Sequence, residues 1–388
     1  MKPIRILALI EASFVTGPAK NLLEFARTAR NPESGLPAVE VCVANYRRDP
    51  RGEPDAFTRA AIEADVPAES IVERRRFDLG VVPQLRSIVA RRRPDIIQTH
   101  NIKSHLLVRW AGFWREMPWV AFHHGYTRRD ALDRFYSQLD RFSLRAARRI
   151  VTVCRPFAAD IARYGIPIER IWVRHNSVRP FSPPPPESVD RVRARFGVAP
   201  GTPVVLVVGR LSQEKGQLDL VEALALLLRE HAALELRVLM VGDGPDRTSI
   251  ESRAAALGIS DRVILCGHQS DVAPFYALAS AVAIPSHSEG SPNVLLEAMA
   301  AGVPLAAAAV GGVPEIASDN ETALLVRSQD PAALARALYR LLSERDLADQ
   351  LARRAREHVS VDFTPEAHCR ALVRFYQGVL GNQGKLPV

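Results

Sequence analysis

Long apolar runs are missing from this sequence. None reaches the roughly 18 residues that a membrane-spanning helix needs, so no span is expected. Cysteine is scarce: Cys42, Cys154, Cys266 and Cys369 stand far apart with no paired spacing. That argues against a disulfide framework and against a zinc or iron–sulfur centre, and it fits reduced thiols in a cytoplasmic setting. The first residues form a short apolar run, Met1 to Ile10, ending at Glu11 with no small-residue cleavage pattern. It reads as a first strand, not a secretion signal. No glycine–lysine–serine/threonine phosphate loop occurs, and no repeat of solenoid period.

What is present is ordinary globular composition, 47% hydrophobic and 24% charged over 388 residues. That length exceeds what one core usually organises, so two domains are the expectation. The net charge of +8 hides an asymmetry. Residues 1–180 carry 31 Lys and Arg against 19 Asp and Glu, a balance of +12, whereas the remainder carries 20 against 24, a balance of −4. A basic half can meet nucleic acid, an acidic substrate or an anionic membrane, and charge alone does not choose.

Short apolar runs alternate with helix-period segments. Ile4 to Ile10, Val39 to Val43, Asp95 to Thr99, Trp119 to Phe122 and Ile150 to Val153 read as strands of a first domain, 1–180. Continuous apolarity is what a parallel strand covered on both faces requires, so the class is α/β with doubly wound sheets. The pattern stops at Pro183-Pro184-Pro185-Pro186, which reads as a boundary. It restarts with Val204 to Val208, Leu236 to Val241, Val263 to Leu265, Ala281 to Ile284 and Leu305 to Ala308, a second domain over 181–363. A last helix within 364–388 is expected to pack back on the first domain. Ligands of such sheets bind beyond the carboxyl ends of the strands, so the chemistry is sought in the loops that follow them.

After Ile284 comes Pro285-Ser286-His287-Ser288-Glu289-Gly290-Ser291-Pro292-Asn293-Val294-Leu295-Leu296-Glu297. Ser291 is a favoured N-cap and Pro292 suits the first helical position. The amides of Asn293, Val294 and Leu295 would then face outward at the positive end of a helix dipole, a setting for a diphosphate. Glu289 before the helix and Glu297 within it could take the groups on either side of that phosphate. Each alone is equally well a solvated charge. A second cluster, Gly209-Arg210-Leu211-Ser212-Gln213-Glu214-Lys215-Gly216, offers two cations that could neutralise a departing diphosphate. Two glycine turns complete the set, Gly242-Asp243-Gly244-Pro245 and Gly311-Gly312-Val313-Pro314-Glu315. The first starts like a dinucleotide fingerprint, but Arg247 stands where the third glycine belongs.

These four segments, in this order and spacing, closely resemble the retaining glycosyltransferases of the large GT-B-fold family 4. The resemblance implies a GT-B architecture, two Rossmann-like domains facing across a cleft, with a nucleotide-diphosphate sugar held mostly by the second. Arg210 and Lys215 would hold the diphosphate, Glu297 the ribose and Glu289 the donor sugar. Gly17, Gly242, the Gly267-His268 turn and Gly290 would approach the donor by backbone. No cofactor is implied beyond the nucleotide sugar, and no metal, since cations and helix amides replace it and no Asp-x-Asp motif occurs. The partners implied are that donor and a glycan or lipid-linked acceptor, with no nucleic acid.

The first half matches more loosely. Phe122-His123-His124-Gly125 resembles the family's segment that places a histidine, here His124, beside the donor sugar; His100 also ends a strand and could line the acceptor side. The family's Gly-Gly loop after the first strand is here Gly17-Pro18-Ala19-Lys20, and Pro18 has no amide proton to offer. Backbone contact must come from Gly17, Ala19 or Lys20. Arg74-Arg75-Arg76, Arg91-Arg92-Arg93 and the aromatics Trp110, Phe113 and Trp114 admit contact with an anionic membrane at the inner face, or simply a core helix with solvated charge. Besides transfer, two readings stay open: an epimerase or phosphorylase on the same fold, and a silent nucleotide-sugar-binding protein.

Overall fold

The structure is a computed structural model that describes residues 2–48, 53–74, 78–125 and 131–381, with 131–134 described by backbone alone. The chain divides into two compact units. Unit 1 joins Met1–Asn176 to Pro365–Val388, and unit 2 is Ser177–Thr364. The division therefore falls four residues ahead of the expected 180/181 boundary. Val178 explains why: its amide donates to Phe363 O at 2.8 Å, and with Phe181 it packs against the unit 2 core. The prolines are not a linker end either. Pro186 opens the helix Pro186–Arg195, its missing N–H being no loss at a first helical turn.

Unit 1 holds a seven-stranded parallel sheet built from β1 (Ile4–Ile10), β2 (Val39–Arg47), β3 (Ala68–Val72), β4 (Ile96–Thr99), β5 (Trp119–His123), β6 (Arg149–Thr152) and β7 (Ile171–Val173). Their order is β3-β2-β1-β4-β5-β6-β7, so the winding reverses between β1 and β4. Register is set by burial on both faces: six of the seven residues of β1 are buried, and Ile6 pairs with Val41 on one side and Ile96 on the other.

The helix Pro365–Leu380 belongs to this unit. It buries Cys369, Leu372, Val373, Phe375, Tyr376 and Val379 against the sheet and the helix Gly17–Thr28, with Trp172 stacked on Phe375 at 4.7 Å between ring centroids. At about 1.5–3 kcal/mol per large buried apolar side chain, this face ties the two ends of the chain into one core.

Unit 2 repeats the plan with β8 (Val204–Val208), β9 (Arg237–Val241), β10 (Val263–Gly267), β11 (Ala281–Ile284), β12 (Leu305–Ala308) and β13 (Leu324–Val326), ordered β10-β9-β8-β11-β12-β13 and parallel throughout. The winding reverses between β8 and β11. The two motif-bearing loops, after β8 and after β11, are thus neighbours at the switch point. Among the described residues, no helix is long and apolar enough to cross a membrane.

Candidate functional site

In unit 2 the loops after β8 and β11 are locked together. Lys215, in the short 3₁₀ turn Gln213–Lys215, donates from Nζ to Glu289 Oε1 at 2.7 Å. Ser286 Oγ donates to the same oxygen at 2.7 Å. Glu289 is only 8% exposed, so its charge is compensated by one ammonium and one hydroxyl. The His287 amide donates to Glu214 O at 2.9 Å, and His287 Nε2 lies 2.7 Å from Asp219 Oδ2. These contacts fix where the Glu289 carboxylate points.

The glycine turns act by close approach. A Cβ on Gly311, at φ +56°, would lie 1.6 Å from Glu289 O, and one on Gly242 would lie 1.9 Å from Gly209 O. Neither site admits a side chain while the neighbouring loop stays in place. Gly242 N also donates to Gly267 O at 2.9 Å, joining the turns after β9 and β10.

The helix after β11 begins one residue later than its sequence pattern predicts. Pro292, not Ser291, occupies the N-cap position, and Asn293–Ala301 is helical. The reason is local. Pro292 has φ −70° and ψ 120°, extended backbone, and no side chain caps the helix. Its carbonyl takes the Leu295 amide at 3.1 Å, so Leu295 is not among the outward donors expected of it. Gly290 leads into this turn, partly exposed.

Glu297 accepts from Tyr276 Oη at 3.0 Å. Burial, and the Glu297 charge beside it, hold the Tyr276 hydroxyl well above its ordinary pKa, so it stays a donor. Arg210 is exposed at the end of β8, its carbonyl taken by Gln217 Nε2 at 2.8 Å. Tyr276, Ser286 and Gln217 are the residues that sequence reading missed. Ser286 was inside the quoted segment. Its signal was a small polar residue buried at the end of an apolar strand.

In unit 1 the histidines are connected. Tyr376 Oη donates to Gln98 Oε1 at 2.5 Å, Gln98 Nε2 lies 2.6 Å from His100 Nε2, and His100 Nδ1 lies 3.3 Å from His124 Nε2. The chain has one consistent direction. With its oxygen engaged by tyrosine, the Gln98 amide presents N–H to His100 Nε2; His100 then donates through Nδ1 to His124 Nε2, and the remaining proton of His124 sits on Nδ1. His100 and His124 stack with centroids 5.6 Å apart. Burial, reinforced by the other histidines, lowers His124 to about 3 and pushes His100 well below its usual pKa, so both rings are neutral donors and acceptors at neutral pH. His123 points elsewhere, its ring edge on Phe157.

The loop after β1 is more committed than expected. Thr16 caps the helix Gly17–Thr28, its hydroxyl taking the Ala19 amide at 3.4 Å and its carbonyl taking the Lys20 amide at 2.8 Å. Of the three amides considered, those of Ala19 and Lys20 are used inside the helix turn. Of the features read toward a membrane, Arg91 and Arg92 both pair with Glu69, Phe113 is 1% exposed and belongs to the core, and Trp110 is 63% exposed. Arg75 and Arg76 lie outside the described residues.

Residues 188–358 match the model of the glycosyl transferases group 1, and residues 16–177 that of the glycosyl transferase 4-like domain. The chain belongs to the family-4 glycosyltransferases of GT-B fold. It is 41% identical over 176 residues to the D-inositol 3-phosphate glycosyltransferase of Nocardia farcinica, covering 43% of this chain and 39% of that protein. It is 25% identical over 325 residues to the N-acetyl-alpha-D-glucosaminyl L-malate synthase of Bacillus anthracis, covering 82% and 84%. The match to the first of these thus spans well under two thirds of that relative's length. The structure of Anabaena Alr3699/HepE in complex with UDP and glucose superposes with a TM-score of 0.83 at 20% identity over 96% of this chain and 99% of that one, a likeness of fold.

Proposed function

We propose that this protein transfers a hexose-type sugar from a UDP- or GDP-linked donor to a hydroxyl of a glycan or lipid-linked acceptor, with retention at the anomeric carbon and without a metal ion. The observation that carries this reading is the Lys215–Glu289 pair at 2.7 Å, set between the loops at the switch point of unit 2. A carboxylate so buried, held by an ammonium and a hydroxyl, is a preorganised acceptor for hydroxyl groups of a bound sugar.

In this reading Glu289 holds the donor sugar and Glu297, steadied by Tyr276, takes the ribose diol. Arg210 and the first amides of the helix Asn293–Ala301 face the diphosphate, with Lys215 shared between phosphate and Glu289. Gly242, Gly267 and Gly290 let backbone come close. Negative charge grows on the departing diphosphate, and cations and amides already in place stabilise it without reorganisation. The leaving phosphate oxygen takes the proton of the acceptor hydroxyl as that oxygen bonds to the anomeric carbon on the face being vacated. His124, neutral and presenting Nδ1–H, orients a donor-sugar hydroxyl.

A covalent route would need a carboxylate on the far face of the sugar. The test is a panel of nucleotide sugars scored by thermal shift and by slow donor hydrolysis. UDP- or GDP-hexoses should raise the melting temperature and release nucleoside diphosphate. A panel without any stabilising donor would reject the reading.

A further inference from the structure

The segments that enter β5, β6 and β7 are neighbours along one edge of the unit 1 sheet, at the amino ends of its strands and so opposite His100 and His124. β5 is entered from the helix Phe113–Glu116, β6 from the turn after the helix Ala131–Leu144, and β7 from the 3₁₀ turn Ile168–Arg170. Hydrogen bonds join the three. The Arg148 amide donates to Trp119 O at 2.9 Å, and Arg170 Nη2 donates to Arg145 O at 2.8 Å and also to Ala147 O.

This edge is cationic. Among the described residues, no carboxylate pairs with Arg115, Arg145, Arg149 or Arg170, and the guanidinium groups of the last three rest on backbone carbonyls instead. Arg145 donates to Tyr164 O from Nε at 3.1 Å and from Nη2 at 2.8 Å, and Arg149 Nη1 donates to Arg148 O at 3.2 Å. Of the acidic residues on these segments, Glu116 is paired with Arg86 at 3.1 Å and Glu169 is exposed. Asp160, on the next helix, is paired with Arg141 at 2.9 Å. Burial, and the charge of Arg149 beside it, lower the Arg170 pKa from its ordinary value.

Sealing the carbonyls that follow a helix C-terminus accounts for Arg145 and Arg170, because cations are favoured there. It does not account for Arg149. The Arg149 Nε is buried and has no hydrogen-bond partner, a costly and rare state for a charged donor. Arg170 bonds only through Nη2, so its Nε and Nη1 also keep their hydrogens. Two like charges near each other, each with unused donors in a planar fork, match the oxygens of a phosphate, whose charge would offset their repulsion.

We propose that this edge is a binding site for a phosphate group, separate from the sugar-transfer chemistry and independent of the reading given above for it. Arg149 and Arg170 are its principal donors, with Arg145 and Arg115 adding charge at the rim. The ligand is either a free phosphate or the phosphate of a lipid headgroup.

Inorganic phosphate is titrated into the full chain by calorimetry, against chloride at the same ionic strength. Arg149→Gln should weaken phosphate at least tenfold. Arg149→Lys, which keeps the charge but not the fork, should recover part of that loss, and release of nucleoside diphosphate from donor should stay at the parent rate in both. Lys215→Ala separates this site from the diphosphate position of unit 2, and phosphate should bind it as it binds the parent. Sedimentation with phosphatidylglycerol vesicles but not with phosphatidylcholine vesicles, abolished by Arg149→Gln, would identify the headgroup as the source; phosphate binding without sedimentation would identify a free phosphate. No binding of phosphate or of vesicles beyond that of chloride, binding indifferent to Arg149→Gln, or phosphate binding lost in Lys215→Ala instead would overturn the inference.

Discussion

The Tyr376 hydroxyl, on the last helix of the chain, donates to the Gln98 side chain in β4 at 2.5 Å and so sets the direction of a relay that ends on His124. Tyr376→Phe keeps the buried ring but leaves the Gln98 oxygen unsatisfied, a cost of about 1–3 kcal/mol. It also frees the amide to turn over. Turnover should drop about tenfold with the donor KM little changed, and nitrogen-15 shifts of His124 should show a mixture of tautomers where the parent shows the Nδ1–H form alone. An unchanged His124 spectrum would remove Tyr376 from any positioning role.

Lys215→Ala strips the ammonium from a carboxylate that is 8% exposed. Breaking a buried pair from one side leaves an uncompensated charge, and up to about 3 kcal/mol of stability should be lost. Turnover should fall by about a hundredfold or more, since in the proposed reading the same cation also serves the diphosphate. Lys215→Arg should recover part of it. Stability is read by calorimetry and turnover by nucleoside diphosphate release; a variant that turns over at the parent rate would dissociate Lys215 from the chemistry.

Two glycines with similar backbone angles should respond differently to alanine. At Gly311, φ +56°, the added methyl meets the Glu289 carbonyl and must push the loop away. Gly267, φ +67°, has nothing within 4 Å of the added atom, so Gly267→Ala should cost only the left-handed strain of about 1–2 kcal/mol. Nucleotide-sugar affinity by calorimetry should collapse in the first variant and survive in the second.

Acid should destabilise unit 1 before its carboxylates titrate. Burial lowers His123 to about 4 and His368 to about 3, the latter helped by the charge of Arg174. Both are depressed below the ordinary 6.5, so between that value and about 4 the unfolded chain binds more protons than the folded one, and stability falls as pH falls. The melting temperature should drop from pH 7 to pH 5, and His368→Gln should flatten part of that drop. A melting temperature constant across this range would contradict the neutral, buried state of these rings.

Much of this was legible beforehand because buried parallel strands announce themselves as apolar runs: β1, β2, β4, β5 and β6 in unit 1 and β8 to β12 in unit 2 were all visible. β3, β7 and β13 were not. They are short sheet edges, and Ala68-Glu69-Ser70-Ile71-Val72 buries one residue fully, so tertiary pairing makes it a strand where local pattern does not. In the site, the position of Glu289 and Lys215 in adjacent loops follows from strand order, but their mutual bond does not, since spacing in sequence says nothing of side-chain direction. Ser291 misled because its residue type favours capping, whereas Pro292 fixes the extended backbone just before the helix. Gln98 could have been found: a polar side chain inside Ile96–Thr99, a wholly buried strand, requires a partner, and that partner came from 278 residues away.

The most direct test is the release of nucleoside diphosphate from UDP-glucose and GDP-glucose by the purified chain, with and without acceptor, alongside Lys215→Ala. Release that depends on the acceptor and falls about a hundredfold in the variant is the expected result. No release from any donor, or release equally fast without acceptor and in Lys215→Ala, would contradict glycosyl transfer from a site built on Lys215 and Glu289.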